Sequence, residues 1–239
     1  MERNRSDKPR LIVFSGAGMS AESGIATFRD NGGLWEQYRV EEVATPEAFQ
    51  RNPELVLEFY NQRRRRIGEV EPNAAHKAFT ELEQDFEVIV VTQNIDNLHE
   101  RAGSSKVVHL HGEITKARSA AFPELIYDIE YRDIQLGDLC DKGHQLRPHI
   151  VWFGEMVPML DHAAEIMQTA DILVVIGTSL NVYPAASLVN YVPAHCTRYL
   201  VDPNLSQEEY GNQFIVRTGT AVDIVPGLVK ELLAQKGKW

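Results

Sequence analysis

Cysteine is scarce in this 239-residue chain: Cys140 and Cys196 are the only two, and they lie far apart in sequence. A disulfide framework is excluded, and the reducing cytoplasm is the expected compartment. No run of eighteen apolar residues occurs, so no membrane-spanning helix is expected. The first ten residues, MERNRSDKPR, have no apolar stretch of the kind a secretory signal needs. Positive charge is also in deficit. Lys and Arg number 24 against 34 Asp and Glu, a net charge of −10, which argues against broad nucleic-acid binding. What remains is an ordinary globular composition, 44% hydrophobic and 24% charged, long enough for one large α/β domain with a smaller insert. No internal repeat or low-complexity segment interrupts it.

The chain is organised around residues 10–29. An apolar run, Leu11-Ile12-Val13-Phe14, stops at Ser15-Gly16-Ala17-Gly18 and gives way to small residues suited to a helix start. A strand, a tight glycine turn and a helix N-terminus together form a phosphate cradle. Gly16-x-Gly18-x-x-Ala21 fits the dinucleotide fingerprint, with Gly16 for the turn, Gly18 for close approach of a pyrophosphate, and Ala21 for helix–strand packing. By itself this pattern is equally that of a plain strand–helix turn.

Further along, Asn52-Pro53 marks a helix start, and Leu55, Val56, Phe59, Tyr60 and Ile67 continue it at helical spacing. Arg63 to Arg66 lie within it. Steps of about 100° splay them around the helix, so most are expected in water. Pro72-Asn73 opens another helix. Buried-strand runs follow at 87–92, 106–110, 171–176, 199–201 and 214–216, with helices at about 160–170, 184–191 and 221–235. Residues 113–147 break this rhythm and read as an irregular inserted lobe, after which the core is expected to resume at Ile150-Val151-Trp152-Phe153. The predicted fold is α/β: a Rossmann-like parallel sheet with helices on both faces. The expected Rossmann-like domain comprises 1–38, 72–112 and 148–239. A smaller lobe is built from two insertions, 39–71 and 113–147.

Ligands bind beyond the carboxyl ends of such strands. Those ends bear Gly16-Ala17-Gly18, Gln93-Asn94-Ile95-Asp96, His111, Gly177-Thr178-Ser179 and Asp202. A histidine beside Asn94 and Asp96 at a nucleotide crevice is a candidate general base. A dehydrogenase should show an acidic residue on a second strand about 20 residues past the fingerprint. Glu36 and Glu41 fall in that window without strand character, so chemistry other than hydride transfer is favoured.

Gly16-Ala17-Gly18-x-Ser20-x-x-Ser23-Gly24-Ile25-x-x-Phe28-Arg29, Thr92-Gln93-Asn94-Ile95-Asp96-x-Leu98-His99, Leu110-His111-Gly112, Arg147-Pro148-x-x-Val151-Trp152-Phe153-Gly154-Glu155 and Gly177-Thr178-Ser179-Leu180-x-Val182-x-Pro184-Ala185 occur in that order. Together they resemble the sirtuins, NAD-dependent protein-lysine deacylases, over essentially the whole chain. The resemblance implies that NAD is consumed, the acyl group passes to ADP-ribose, and nicotinamide and free lysine are released. His111 matches the general base. Asn94 would order the ribose and a water, Asp96 with Ile95 the nicotinamide carboxamide, and Gln93 the ribose hydroxyls. Gly16, Ala17, Gly18 and Arg29 would face the phosphates, and Phe28 would shield the ribose. Gly177, Thr178, Ser179, Asp202 and Ala221 match the adenosine side, although the family often has Asn where Asp202 stands. Val151, Phe153, Gly154 and Glu155 would form an edge to which a substrate peptide adds as a strand.

Two features refine the resemblance. Tyr60-x-x-Arg63, with Ala44, resembles the pocket of sirtuins that remove acidic acyl groups, where a guanidinium grips a carboxylate and a phenol adds a donor. Against the family's usual zinc module, the matching positions read Ser119, Phe122, Cys140 and Gly143. A structural zinc needs about four N or S ligands, so none is expected. The lobe would be held by packing of Phe122, Leu125, Ile126, Tyr127, Ile129, Tyr131 and Leu139. The expected partners are acyl-lysine proteins or peptides, with no nucleic acid and no membrane, and the chain is expected to be a monomer. Alternatives are a mono-ADP-ribosyltransferase or NAD glycohydrolase on the same site, or an inactive NAD sensor.

Overall fold

The structure, a computed structural model, describes residues 8–27, 38–178, 180 and 182–239. At its centre is β1 (Arg10–Ser15), whose residues from Leu11 to Phe14 are fully buried. It pairs in parallel with β2 (Glu87–Thr92) on one side and with β7 (Ile172–Ile176) on the other. With β3 (Val107–His109), β8 (Thr197–Val201) and β9 (Ile215–Arg217), the six parallel strands run in the order β3-β2-β1-β7-β8-β9. This is the doubly wound order, with its reversal between β1 and β7.

The strands read as unbroken apolar runs because both faces are covered. Leu11, Val13, Val90 and Val174 enter one core with Phe79 and Leu228, while Ile12, Phe14, Val91 and Val175 enter the other with Met167 and Leu188. The expected helices occur at Pro53–Glu69, Ala74–Glu81, Leu160–Met167 and Ala221–Ala234, and 184–191 is a tighter 3₁₀ turn, Ala185–Asn190. Asn52 and Asn73 cap the first two, each side-chain oxygen accepting from a first-turn amide. No helix among the described residues is long and apolar enough to cross a membrane.

A second sheet, antiparallel in the order β5-β4-β6, forms the smaller lobe with the 53–69 helix. Its strands are β4 (Gly112–Ser119), β5 (Ile126–Asp128) and β6 (Leu146–Ile150). Here the sequence reading is corrected twice. Residues 113–147 are not irregular throughout: β4 is an eight-residue strand. Its alternation is hidden by a register shift between Glu113 and Ala117, which breaks the period of two that marks a strand. Nor does the parallel core resume at Ile150. That residue ends β6, and the apolar run alternates. Ile150 and Trp152 point into the small-lobe core, while Phe153 is 48% exposed. The packing expected of the lobe holds for Ile129, which joins Leu57, Ala117 and Ile134. It fails for Ile126 and Leu139, 46% and 56% exposed.

Candidate active site

The reversal between β1 and β7 brings two glycine loops together. Gly16 N donates to Ile176 O at 3.0 Å and Gly18 N to Gly177 O at 2.9 Å. A Cβ on Gly18 would lie 2.7 Å from Gly177 Cα, and one on Gly16 2.8 Å from Gly177 O. The glycines are therefore needed for close contact between the two loops. The helix they open is only Gly18–Ala21, too short for a strong dipole. Of the three amides, that of Ala17 alone has no backbone acceptor among the described residues.

Beside this contact, the segment after β2 is fixed by buried polar groups. Asn94 Nδ2 donates to Ser20 Oγ at 3.1 Å, and Ser20 Oγ donates to Asp96 Oδ2 at 3.0 Å. Ser20, Asn94 and Asp96 are all buried. Burial raises the Asp96 pKa, while the Leu98 amide and the Ser20 hydroxyl oppose that rise. Beneath them, Ser15 Oγ donates to Thr92 Oγ1 at 2.8 Å, and Asn94 N donates to the same oxygen at 3.0 Å. His99 Nε2 lies 3.0 Å from Ser15 Oγ. Gln93 Nε2 reaches across to Thr178 Oγ1 at 3.2 Å and ties β2 to β7.

His111 Nδ1 lies 3.0 Å from the carbonyl oxygen of Gln93. A carbonyl can only accept, so Nδ1 bears the hydrogen and Nε2 keeps its lone pair. Burial lowers the His111 pKa, against a smaller opposite pull from that hydrogen bond. A neutral imidazole with a free Nε2 is the state a general base requires. His109, two residues earlier, is the contrast. Burial disfavours its charge, but Glu100 at 2.7 Å outweighs this and its pKa is raised.

Tyr60 and Ala44 meet in the small-lobe core with Trp152. Burial pushes the Tyr60 hydroxyl up to about 12, with the Arg63 charge opposing. Arg63 is half-buried beside Phe59, its Cζ 5.6 Å from the ring centroid, and is electrostatically coupled to both Tyr60 and Asp96. Of the four arginines, Arg64 departs from the solvated expectation. It is fully enclosed, with Nε donating to Ile114 O at 2.7 Å. Ile114 N in turn donates to Ile95 O at 2.9 Å.

The segment matched to a peptide edge is partly committed. Val151 N donates to His111 O and Phe153 N to Ala44 O, at 2.9 and 3.0 Å. The Glu155 carboxylate turns inward to Arg147 at 2.7 Å and Arg118 at 3.3 Å, and accepts from Trp152 N at 2.8 Å. Phe153 and Gly154 are left exposed.

Asp202, at the end of β8, uses one carboxylate oxygen to accept from Asn204 N at 2.8 Å. Ala221 begins the final long helix, whose Val222 N and Thr220 Oγ1 both donate to Glu22 at 2.9 Å. Phe28, Arg29 and Ser179 lie outside the described residues. Ser15, Ser20, Glu22, Thr92, His99 and Arg64 were not singled out from sequence. Of these, Ser20, Thr92 and His99 carried a signal, as polar residues inside matched motifs.

A structural zinc does not fit the small lobe. Cys140 Sγ donates to Ser119 Oγ at 3.3 Å, and Phe122 packs edge-on against His144 with Lys142 Nζ 3.9 Å above its ring. No group of three or more His, Cys, Asp or Glu among the described residues could hold a metal ion.

A doubly wound sheet with glycine loops at its switch point, and a buried neutral histidine held by the Gln93 carbonyl, is the architecture of a nucleotide-binding α/β protein. Comparison with known proteins narrows this class. The Sir2 family pattern matches residues 16–184, and the chain belongs to that family. It is 57% identical over 198 residues to an NAD-dependent protein deacylase of Bacteroides thetaiotaomicron, covering 81% of this chain and 85% of the relative. It is 49% identical over 223 residues to one from Helicobacter pylori, covering 93% and 95%. Among solved structures, a Sir2 homologue in complex with NAD superposes with a TM-score of 0.85 at 39% identity, covering 96% of this chain and 91% of that one.

Proposed function

We infer that this chain is an NAD-dependent protein deacylase acting on acyl-lysine proteins or peptides. The observation that supports this most directly is His111, held by the Gln93 carbonyl with its Nε2 lone pair free. In the reaction, NAD supplies the ADP-ribose that accepts the acyl group. Nε2 takes the proton of a ribose hydroxyl, and burial keeps the imidazole unprotonated until that moment. Asn94 and Asp96, fixed through Ser20, orient the ribose and the nicotinamide carboxamide. Gln93, Thr178 and the Ala17 amide hold the remaining nucleotide, together with Phe28, Arg29, Ser179, Asp202 and Ala221. The exposed Phe153–Gly154 turn, next to Val151, receives the peptide backbone.

The preferred acyl group is acidic. Tyr60 and Arg63 sit one helical turn apart on the 53–69 helix, and the small side chain of Ala44 lies in the same small-lobe core as Tyr60. A succinyl or malonyl carboxylate there accepts from both side chains.

The test supplies NAD with acetyl- or succinyl-lysine peptide and follows nicotinamide and O-acyl-ADP-ribose. Both products should appear in equal amounts and only with peptide present; nicotinamide without peptide would instead mark NAD hydrolysis. Arg63→Met should lower kcat/KM on the succinyl peptide by about a hundredfold, the order expected for a charge-assisted bond, and leave the acetyl peptide within about threefold. Equal loss on both substrates would refute the acidic preference.

A further inference from the structure

Trp152 stands between the acyl pocket and the peptide segment and has no role in the reading above. Its side chain is 3% exposed. The ring is clamped: Arg147 Cζ lies 3.3 Å from its centroid, Phe49 packs at 5.3 Å, and Tyr60 at 6.3 Å with the rings tilted by 35°. Its backbone N–H is bound by Glu155, which also holds Arg147. The indole therefore has little freedom to turn. Yet its Nε1–H, fully buried, has no acceptor among the described residues. The Tyr60 oxygen interacts with the indole N–H, without completing a hydrogen bond to it.

Buried donors are nearly always bonded, and leaving one unmet is unfavourable. Phenylalanine would fill the same space without that defect. A tryptophan held rigidly with its one donor unspent, against the hydroxyl proposed to bind substrate, indicates that the acceptor arrives with the ligand. A carboxylate has about four lone-pair sites, more than Tyr60 and Arg63 can fill. Resting on the acidic-acyl reading, we propose that Trp152 Nε1–H is a third donor to the acyl carboxylate and so a determinant of acyl specificity. An acetyl group, which ends in a methyl, has nothing to offer it.

The experiment combines kinetics with spectroscopy. Trp152→Phe should lower kcat/KM for a succinyl-lysine peptide by about tenfold, mostly through KM, with the acetyl-lysine peptide within about twofold. In ¹⁵N–¹H spectra the chain's three tryptophans give three indole signals. That of Trp152 should move downfield on adding succinyl-lysine peptide with ADP-ribose, and stay in place with acetyl-lysine peptide. Assignment through Trp35→Phe and Trp239→Phe keeps this measurement on a wild-type pocket even if Trp152→Phe does not fold. Parallel loss on both substrates, or an indole signal indifferent to the acyl group, overturns the proposal. If Arg63→Met discriminates between the peptides and Trp152→Phe does not, only the role of Trp152 fails. If Arg63→Met itself does not discriminate, the acidic preference falls first.

Discussion

His76 is fully enclosed, its ring 4.8 Å from that of His99, and neither of its nitrogens has a hydrogen-bond partner among the described residues. Burial drives its pKa down to about 4, and that of His99 well below the imidazole range. The sign of the linkage follows. Below about pH 6.5 the unfolded chain binds protons that the folded chain refuses, so stability falls as pH drops from there toward about 4. For His76 alone the loss reaches roughly 3 kcal/mol at the acid end. Urea unfolding of wild type and His76→Leu at pH 7 and pH 4.5 should show a smaller acid loss in the variant. An identical loss in both would place the sensitivity elsewhere. The same scale shows what sequence can and cannot disclose. His111 was legible because it ends a strand beside Gln-Asn-x-Asp. His76 was not, because a histidine on an amphipathic helix reads alike whether its ring is wet or sealed. Arg64 was hidden for a related reason: Arg65 and Arg66 beside it are exposed, and only the fold shows that its direction on the helix meets the Ile114 carbonyl.

Among elements, the parallel strands and long helices could be read from sequence because apolar runs and Asn-Pro caps act locally. What could not be read is what depends on a distant partner. β4 has its periodicity broken by a bulge set by β6, and Ile150 joins the antiparallel sheet and not the parallel one. The glycine fingerprint was legible as a loop, but the crowding against Gly177, some 160 residues on, was not. Gly177 has φ +61°, and a Cβ there would sit 2.3 Å from Met19 N. Gly177→Ala should therefore cost about 2 kcal/mol or more, a fall in Tm of roughly 4–8 °C, and weaken NAD binding in parallel. Calorimetry with an NAD titration measures both; an unchanged Tm would mean that the loops separate freely.

For the molecule as a whole, the small lobe is tied by direct side-chain contacts: Cys140 bonds Ser119, Phe122 packs on His144, and Glu155 bonds Arg118 of β4 and Arg147 of β6. The large domain is closed by a link of comparable reach, Glu22 accepting from Thr220 and Val222. Glu22→Ala should lower stability by about 1 kcal/mol, the size of a lost helix cap, visible as a drop in Tm of roughly 2–4 °C. No change would show the link to be dispensable. This closure has a consequence for how the chain comes to be folded. β1 is synthesised first and placed centrally. Its neighbour β7 emerges about 160 residues later, and the group that accepts from the last long helix lies just past β1. During synthesis at about 5–20 residues per second, the apolar strand and the loop after it wait many seconds for the partners that shape them. Contacts so distant in sequence are slow to form, so the glycine loop after β1 is made long before β7 and is among the last to acquire its folded shape.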